Sequence, residues 1–378
     1  MKTSRSLLIT CESDTASSSA PQSSAMLAIP MKPTCAVDMC KPLRSYVAAE
    51  FAETDGEETE RNIKQFNQLR VDAVAGRSAT AESRAGIDLY FSQLRFATSR
   101  FPVSESQVRL GFTWFDAFAP RSKLVLYSWK LEQAATLFNA AAMESHAGVQ
   151  ADRAELAGIE EASKRFLRSA QLFKMLREEL QPDLALSAGL TMDLSAGGLA
   201  MLEAILCAQA QAVFYEKAVR QKMAPASVAK VAAGAAQFYA EALEASRGAD
   251  LRGKLDTSWE NNLAYQVQCF AGATQYWQAI KDKTDAEAKT EGFAVVVARL
   301  ELAQAACARA VSVVDQSGLS PTIKSTVQQL QALVVRNLLD ARHDNDMVYH
   351  EVTVAPKDLP PIAPFIPGYV RKLLAARY

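Results

Sequence analysis

The sequence lacks the short motifs that mark the common catalytic and nucleotide-binding sites. It contains no G-x-x-x-x-G-K-[ST] phosphate loop, no G-x-G-x-x-G dinucleotide fingerprint, no G-x-S-x-G nucleophile elbow and no H-E-x-x-H metal helix. Histidine, a frequent general base and metal ligand, occurs three times. These absences exclude the enzyme classes that depend on such motifs. We therefore expect a protein that is not an enzyme and has no cofactor or metal.

A charge imbalance and long apolar runs are missing as well. The chain has 41 lysine and arginine residues against 42 aspartate and glutamate residues, so no net field draws it to nucleic acid or to an anionic membrane. A membrane-spanning helix needs about 18 predominantly apolar residues. The nearest candidate, residues 200–212, contains Glu203 and two glutamines. We expect a soluble protein that does not bind nucleic acid.

Cysteine is scarce and shows no pairing pattern. None of the six cysteines forms a C-x-x-C pair, and three lie in apolar helical stretches, where a free cysteine behaves as a small hydrophobic residue. No Asn-x-Ser/Thr glycosylation site is present. Both observations favour a reducing cytosol. A metal site on Cys35 and Cys40 is an alternative, but no second pair with matching spacing accompanies them.

Three further polar features have an ionic or catalytic interpretation and a structural one. The glycines of SAGGL (195–199) precede a helix whose N-terminus could bind an anion, or they form a flexible loop. Two histidines and two aspartates between residues 343 and 350 could bind a metal, or they mark a helix end. Asp116 follows an aromatic strand and is interpreted as a turn or cap residue. The structural interpretation is favoured for all three.

Helical periodicity dominates the rest of the chain. Small residues and aromatics recur at spacings that let helices approach closely, as at Ala236, Phe238 and Ala242, a pattern typical of αα-hairpins of the tetratricopeptide kind. The predicted helices cover residues 41–51, 56–75, 80–99, 129–147, 151–180, 194–222, 225–246, 256–283, 285–315 and 320–342. Extended segments at 26–34, 107–114 and 123–127 predict a small antiparallel sheet near the N-terminus. Prolines at 356, 360, 361, 364 and 367 predict an extended strap.

The organisation indicates one domain with two ends of different character. Residues 1–25 are polar and short of large apolar residues, so we predict a disordered N-terminal extension. Residues 26–367 form the domain, and residues 368–378 form a short C-terminal tail. Within the domain we expect Trp114, Phe115 or both to be buried with Leu137 and Phe138, where the sheet meets the first hairpin.

The most informative stretch is residues 207–239, which has the pattern of a helical hairpin. The first helix should end near Lys222, followed by a turn and by Pro225, since proline is tolerated in the first turn of a helix. The buried stripe of the first helix comprises Leu202, Leu206, Gln209 and Val213. Phe214 projects about 100° from the centre of that stripe, and Lys217 follows it at i+3. An aromatic residue off the buried stripe, with a cation beside it, indicates a binding surface.

Six blocks of this sequence occur together in the order and spacing of a known family. They are AVDMCKPLRSYV (36–47), RFPVSESQVRLGFTWFDAF (100–118), LEQAATLFNAAAMES (131–145), AQAQAVFYEKA with SVAKVA and QFY (208–239), EGFAVVVARLELA (291–303) and DNDMVYHEVTVAPKDLPPI (344–362). The chain resembles the Bro-one domain family, the domain of ALIX and its relatives, and in layout the small members that consist of this domain alone. The resemblance implies a mainly α fold: an elongated, banana-shaped solenoid of αα-hairpins with a tetratricopeptide-like core and a small N-terminal antiparallel β-sheet.

The resemblance also implies a non-enzymatic adaptor of the ESCRT pathway. In this family a shallow hydrophobic groove on the concave face binds the C-terminal amphipathic helix of an ESCRT-III subunit, of the Snf-seven or charged-multivesicular-body-protein-four type, in endosomal sorting and membrane remodelling. Carried over by position, the aromatic anchor is Phe214, its adjacent cation Lys217, the aliphatic wall Val231 and a basic rim residue Lys164. Alternatives are a signalling scaffold of the ambient-pH or Rho-binding type that uses the same groove and, more remotely, an enzyme with a small-ligand pocket.

Three positions depart from the family's groove. Ser227 replaces a large aliphatic residue of the wall, Glu160 replaces a rim lysine, and Gln221 replaces an acidic residue. The loss of one aliphatic side chain removes about 1–2 kcal/mol of apolar contact, so Ser227 is expected to weaken binding of the partner. Phe214 and Val231 have an alternative interpretation as ordinary packing between the hairpin helices.

A second family feature falls on Tyr349, in DMVYHEV. The family places a tyrosine in an extended strap near the end of the domain, and in animal relatives it belongs to a kinase-docking patch. The resemblance implies a regulatory or docking residue, and the alternative is a half-buried tyrosine that packs on the solenoid. The sequence ends in Ala-Ala-Arg-Tyr, without the prenylated cysteine of some small members. We expect a cytoplasmic monomer recruited to endosomes, with membrane association through its partner.

Overall fold

The structure is a computed structural model that describes residues 26–51, 56–75, 79–317, 319–352, 354–368 and 370. Two short strands and a series of helices make up the fold. These are α1 (Cys40–Glu50), α2 (Gly56–Ala75), α3 (Ala81–Arg100), β1 (Phe112–Phe115), β2 (Lys123–Leu126), α4 (Trp129–Gln150), α5 (Leu156–Met175), α6 (Gln181–Leu184), α7 (Ala196–Arg220), α8 (Pro225–Ser246), α9 (Thr257–Lys289), α10 (Phe293–Ser317) and α11 (Pro321–Asp344). The prediction for residues 1–25 lies outside the described residues, as does the predicted tail apart from residues 368 and 370.

The long helices from α4 to α11 form a solenoid in which each packs chiefly on the next long helix in the sequence. Short connections and small residues at the seams permit this, because a small side chain lets two helix backbones approach closely. The α7–α8 connection is one of the short ones. Lys222 adopts a left-handed conformation at φ 51°, and Pro225 opens α8, as the sequence predicts. The prediction of a mainly α solenoid with a small sheet is confirmed.

The sheet lies at the N-terminal end of the solenoid and is smaller than predicted. Strands β1 and β2 pair antiparallel with Trp114 opposite Leu124, and Thr34 in the N-terminal segment adds an isolated bridge to Trp114. Residues 107–111 precede the ladder and are not part of it. Trp114 and Phe138 are buried, which confirms that the sheet packs on the first hairpin of the solenoid.

The N-terminal segment, residues 26–35, is fixed to the solenoid by polar contacts to buried side chains. The backbone N–H of Ile29 donates to Ser145 Oγ at 2.8 Å, and that of Lys32 donates to Asn139 Oδ1 at 2.7 Å. The Lys32 ammonium forms a fully buried ion pair with Asp193, just before α7. Asp116 is the predicted cap residue, since its Oδ1 accepts the backbone N–H groups of residues 118 and 119.

Several boundaries differ from the predictions, among them the start of α5, which is Leu156 and not residue 151. Helix α9 continues past the predicted break at 284 to Lys289, because nothing before Thr290 (φ 59°) and Gly292 (φ 100°) interrupts it. The predicted extended conformation around Tyr349 is wrong. The residues Asn345–Tyr349 form a single π-helical turn that continues α11 and stops at His350, which has φ 55°. The extended strap that the prolines predict begins later than predicted, since Pro356–Asp358 form a 3-10 helical turn, and we use the name strap for residues 359–367.

Candidate protein-binding groove

A shallow groove of about 390 Å³ lies between α5 and α7. We call it the α5–α7 groove. Its lining residues come from one face of each helix: Ile159, Glu160, Ser163, Lys164 and Leu167 from α5, and Val213, Phe214 and Lys217 from α7. Apolar side chains occupy the floor and charged ones the rim. The arrangement offers an apolar contact surface bordered by charge, with no catalytic constellation.

Phe214 lies in this groove because it is next to, but not on, the buried stripe of α7. Leu202, Leu206, Gln209 and Val213 are all buried, as the stripe predicts, and Phe214 is half-buried at the edge. Helix α7 is well fixed at its start. Ser195 Oγ accepts the N–H of Gly198, and the Asp250 carboxylate accepts the N–H of Gly197, so a side chain of the protein itself already occupies this N-terminus. The glycines of SAGGL therefore lie in the first turn of α7, and the prediction of a flexible loop before the helix is wrong.

An ion pair crosses one end of the groove. Lys217 Nζ donates to Glu160 Oε1 at 2.9 Å, and this hydrogen bond lowers the pKa of the Glu160 carboxyl. The carboxylate of Glu160 therefore partly neutralises the charge carried by Lys217. Lys164 is exposed on the rim, and in the described part of the chain no ion pair involves it.

The aliphatic wall that the sequence predicts at Val231 and Ser227 is not part of the groove lining. Val231 is 1% exposed, so its side chain belongs to the core and is not available to a partner. Ser227 is half-buried in the first turn of α8, outside the lining of the α5–α7 groove. Phe365 of the strap contacts Phe214 from outside that lining, and its ring stacks on that of Phe214 with 6.1 Å between centroids and 30° between planes.

Phe365 is the residue that sequence reasoning missed. It is 43% exposed even while it stacks on Phe214, so the two rings together present one apolar surface. The available signal is in PPIAPFIP, where one aromatic residue stands between prolines in a segment already predicted to be extended. That pattern indicates a docked strap, but it does not say which helix the strap crosses.

Tyr349 lies far along the chain from the groove residues and has a packing role of its own. It is half-buried, and its ring stacks on Phe293 at the start of α10, with 3.8 Å between centroids and 11° between planes. Glu351, two residues later, accepts the backbone N–H of Ala294 at 2.9 Å and so caps the same helix. The structure therefore places Tyr349 in the joint between α10 and α11.

The described residues give little support for ionic or membrane chemistry elsewhere. Among them, no group of three or more histidine, cysteine, aspartate or glutamate side chains could hold a metal ion. Helix α7 has a mean hydropathy of 1.4 over an 18-residue window, long and apolar enough to span a membrane. Since 78% of that window is buried, its apolar character is explained by its position in the core.

Comparisons with known proteins agree with this architecture. The family model described as BRO1-like domain matches residues 26–368. The vacuolar protein-sorting protein bro-1 of Neurospora crassa is 31% identical over 362 residues, covering 90% of this chain and 34% of that protein. The ALG-2 interacting protein X of Dictyostelium discoideum is 30% identical, covering 89% of this chain and 41% of that protein. The chain thus spans well under half the length of these relatives.

A solved structure extends the similarity to three dimensions. The chain aligns with the structure described as the ALIX BRO1 CHMP4C complex at a TM-score of 0.81 and 28% identity. The alignment covers 91% of this chain and 94% of that one.

Proposed function

Because the chain belongs to the BRO1-like domain family, we propose that it is a non-enzymatic adaptor of the ESCRT pathway. Its α5–α7 groove binds the C-terminal amphipathic helix of an ESCRT-III subunit of the Snf7 type. The observation that carries this proposal is Phe214, an aromatic side chain left half-exposed on the floor of an apolar groove with a charged rim.

The dimensions of the groove suit a helix. From Ile159 to Leu167 its α5 side covers eight helical steps, or about 12 Å at the helical rise of ~1.5 Å per residue. Positions i and i+7 of a partner helix lying alongside are about 10 Å apart and fit within this length. Apolar anchors at i, i+3, i+4 and i+7 would therefore contact the floor from Leu167 to Phe214, with the flanking polar residues at the rim.

The kind of partner is supported by the solved neighbour, in which the ALIX BRO1 domain is in complex with CHMP4C. The relatives in Neurospora and Arabidopsis are named for vacuolar sorting, which supports a place in endosomal sorting. The protein acts from the cytoplasm and reaches the endosome through its ESCRT-III partner. Because its groove is shallow and open, it fits an adaptor better than an enzyme with an enclosed, polar pocket.

The test is a titration of the chain with synthetic C-terminal helices of each ESCRT-III subunit from the same organism. Saturable binding in about the micromolar range is expected for the Snf7-type peptide alone, near −8 kcal/mol. The matched control is the same peptide with its apolar anchors changed to aspartate, which should not bind. Equal binding of both peptides, or binding of none of the subunits, would overturn the proposal.

A further inference from the structure

The strap crosses the seam between α7 and α8 with few polar contacts. Residues 360, 361, 364 and 367 are prolines, which have no N–H to donate, so a regular ladder is not possible there. Two points fix the strap's backbone. Arg299 donates to the carbonyl of Pro360 at 2.7 Å, and the N–H of Phe365 donates to the carbonyl of Lys230 on α8 at 2.8 Å.

Gln211 provides a third contact, from below. Its side chain is fully buried on α7, and its Nε2 donates to the carbonyl oxygens of both Phe365, at 2.8 Å, and Val231, at 3.1 Å. Since both neighbours are acceptors, the amide nitrogen must face them, which fixes the orientation of the side chain. Its Oε1 has no hydrogen-bond partner among the described residues. A buried polar side chain destabilises the fold unless it is hydrogen-bonded. The two hydrogen bonds that Gln211 donates join α7, α8 and the strap.

Gly234 on α8 leaves the space that this contact needs. A Cβ atom at Gly234 would lie 2.6 Å from the carbonyl oxygen of Phe365 and 2.7 Å from Nε2 of Gln211. Real Cβ atoms do not approach other atoms so closely, so any larger residue would displace the strap or the glutamine. The close approach of the strap to α8 therefore depends on a glycine in mid-helix, where glycine itself is unfavourable.

We propose that Gln211 and Gly234 form a latch that seats the strap on α8 and thereby holds Phe365 against Phe214, where its ring adds a wall beside the residues that line the α5–α7 groove. Neither latch residue lines the groove, so Gln211 is a positioning residue. The inference rests on the proposed function and deepens it. A partner helix that contacts Phe214 also contacts Phe365, so binding of the partner and seating of the strap stabilise each other.

The first test is hydrogen exchange of the strap in the full chain without any peptide. In Gln211→Leu and Gly234→Ala the amide of Phe365 should exchange at least tenfold faster than in wild type. The reason is that the strap is then no longer held where this amide can donate to the carbonyl of Lys230 on α8. The matched control is Gln237→Leu, which removes an exposed amide on α8 that donates to Glu241 one turn away. This control should leave the exchange of the strap unchanged.

The Gln211→Glu variant adds a pH profile that a purely structural role would not produce. An ionised carboxylate faces two carbonyl oxygens and cannot donate to either, whereas the protonated acid can donate one hydrogen bond to Phe365. Burial raises the pKa of such a carboxyl. Relative to wild type at the same pH, strap protection should be restored near about pH 5 and lost near about pH 8. No such profile is expected for Gln211→Leu.

The second test is the affinity for the Snf7-type peptide, with a thermal melt for each variant. Gln211→Leu and Gly234→Ala should bind about tenfold more weakly while remaining folded, as should Phe365→Ser, which removes the wall itself. Unchanged exchange in the folded latch variants would overturn the latch. If the amides of the strap exchange faster but the peptide binds equally well or more tightly, Phe365 is not a wall that the partner contacts. The strap would then be a lid that covers Phe214. If wild type binds no peptide, the proposed function fails, while the exchange data still decide on the latch.

Discussion

At the scale of single residues, Glu132 on α4 is the acceptor for three buried donors. Its carboxylate accepts Arg70 Nε at 2.9 Å, the Tyr90 hydroxyl at 2.9 Å and Trp114 Nε1 at 2.7 Å. The donors come from α2, α3 and β1, so one side chain joins the helices of the N-terminal end to the sheet. Arg70 and Glu132 are both almost completely inaccessible to solvent, which makes each depend on the other.

Removal of Glu132 should therefore destabilise the fold strongly. Glu132→Ala leaves the Arg70 guanidinium buried without its anion, and we expect a loss of about 3–5 kcal/mol in the free energy of unfolding, measured by urea denaturation. The control is Glu60→Ala, which breaks the solvent-exposed pair with Arg44 and should have little effect. A similar, small loss for both variants would show that the buried network is dispensable.

Glu160 should tune the groove's preference for charge. Glu160→Lys removes the anion that neutralises Lys217, so a helix with an acidic flank should bind a few-fold more tightly and one with a basic flank more weakly. The gain should shrink as salt is added, because these charges are exposed to solvent. Peptide titrations at low and high salt measure both effects. Glu161→Lys, one residue along α5, serves as the control, and an equal gain there would contradict a specific role for Glu160.

Residue roles were predictable from the sequence only where the evidence is local. Phe214 is recognisable because a helix of known period places it beside the buried stripe. The role of Glu132 was not recognisable, since its three donors lie 18 to 62 residues away and only tertiary packing brings them together. Phe365 was missed for the same reason. Its position on Phe214 depends on a strap that returns across 154 residues to bond with Gln211.

At the scale of elements, Asp256 starts the longest helix of the solenoid, α9. Its Oδ1 accepts the backbone N–H of Ser258 at 2.8 Å, and the hydrogen bonds from the Ser258 side chain and backbone lower the pKa of the Asp256 carboxyl. Because the pKa is lower in the folded state, the charge adds stability at pH values above the unfolded pKa of about 3.9. That contribution is lost as the pH falls through the lowered, folded value.

Substitutions at Asp256 separate the contribution of the capping hydrogen bond from that of the carboxylate charge. At pH 7, Asp256→Ala should lower the free energy of unfolding by about 1 kcal/mol, and Asp256→Asn by less, since its amide oxygen accepts the same backbone bond. In acid below the lowered pKa of the folded Asp256 carboxyl, wild type and Asp256→Asn should converge, because the carboxyl is then protonated in both the folded and the unfolded state. Urea unfolding at pH 7 and along an acid series measures this. A gap between the two that persists in acid would contradict the assignment of the effect to charge.

Element boundaries were predictable where a residue with a fixed backbone preference marks them. The α7–α8 hairpin is correct to within two residues at its boundaries, since Pro225 can only open a helix there. The end of α9 was misplaced because its signal, the left-handed residues Thr290 and Gly292, follows a polar stretch that is equally compatible with a turn. The π-helical turn before His350 has no sequence signature of its own.

At the scale of the whole molecule, the domain that the family model covers begins at residue 26. Deletion of residues 1–25 should leave the melting temperature within about 2 °C and peptide binding unchanged, because this polar segment cannot bury enough apolar surface to offset its ordering entropy. Deletion of residues 1–32 is the contrasting variant. It removes Lys32, leaves the buried Asp193 without its cation and should lower the melting temperature markedly. A clear loss from the shorter deletion would show that the extension belongs to the fold.

The overall architecture was predictable mainly from six blocks of sequence taken together, since no single helix specifies a solenoid. The groove followed from the same resemblance on its α5 and α7 sides, where Lys164, Phe214 and Lys217 lie together. The wall beside Phe214 was not predictable in this way. Position in the sequence predicts an accessible Val231, but that side chain is buried, and the exposed residue beside Phe214 is Phe365. Which of two apolar residues remains accessible depends on what packs over them.

The most direct test of the adaptor proposal is a titration of the Snf7-type helix against Phe214→Asp. A carboxylate on the groove floor loses the aromatic contact and must be desolvated by the partner, so affinity should fall at least about a hundredfold. The control is Phe96→Asp, which replaces a 62% exposed phenylalanine on α3, away from the groove. We expect both variants to melt like wild type and only Phe214→Asp to lose binding. A folded Phe214→Asp that binds normally, or one that unfolds because the ring is core, would contradict the adaptor proposal.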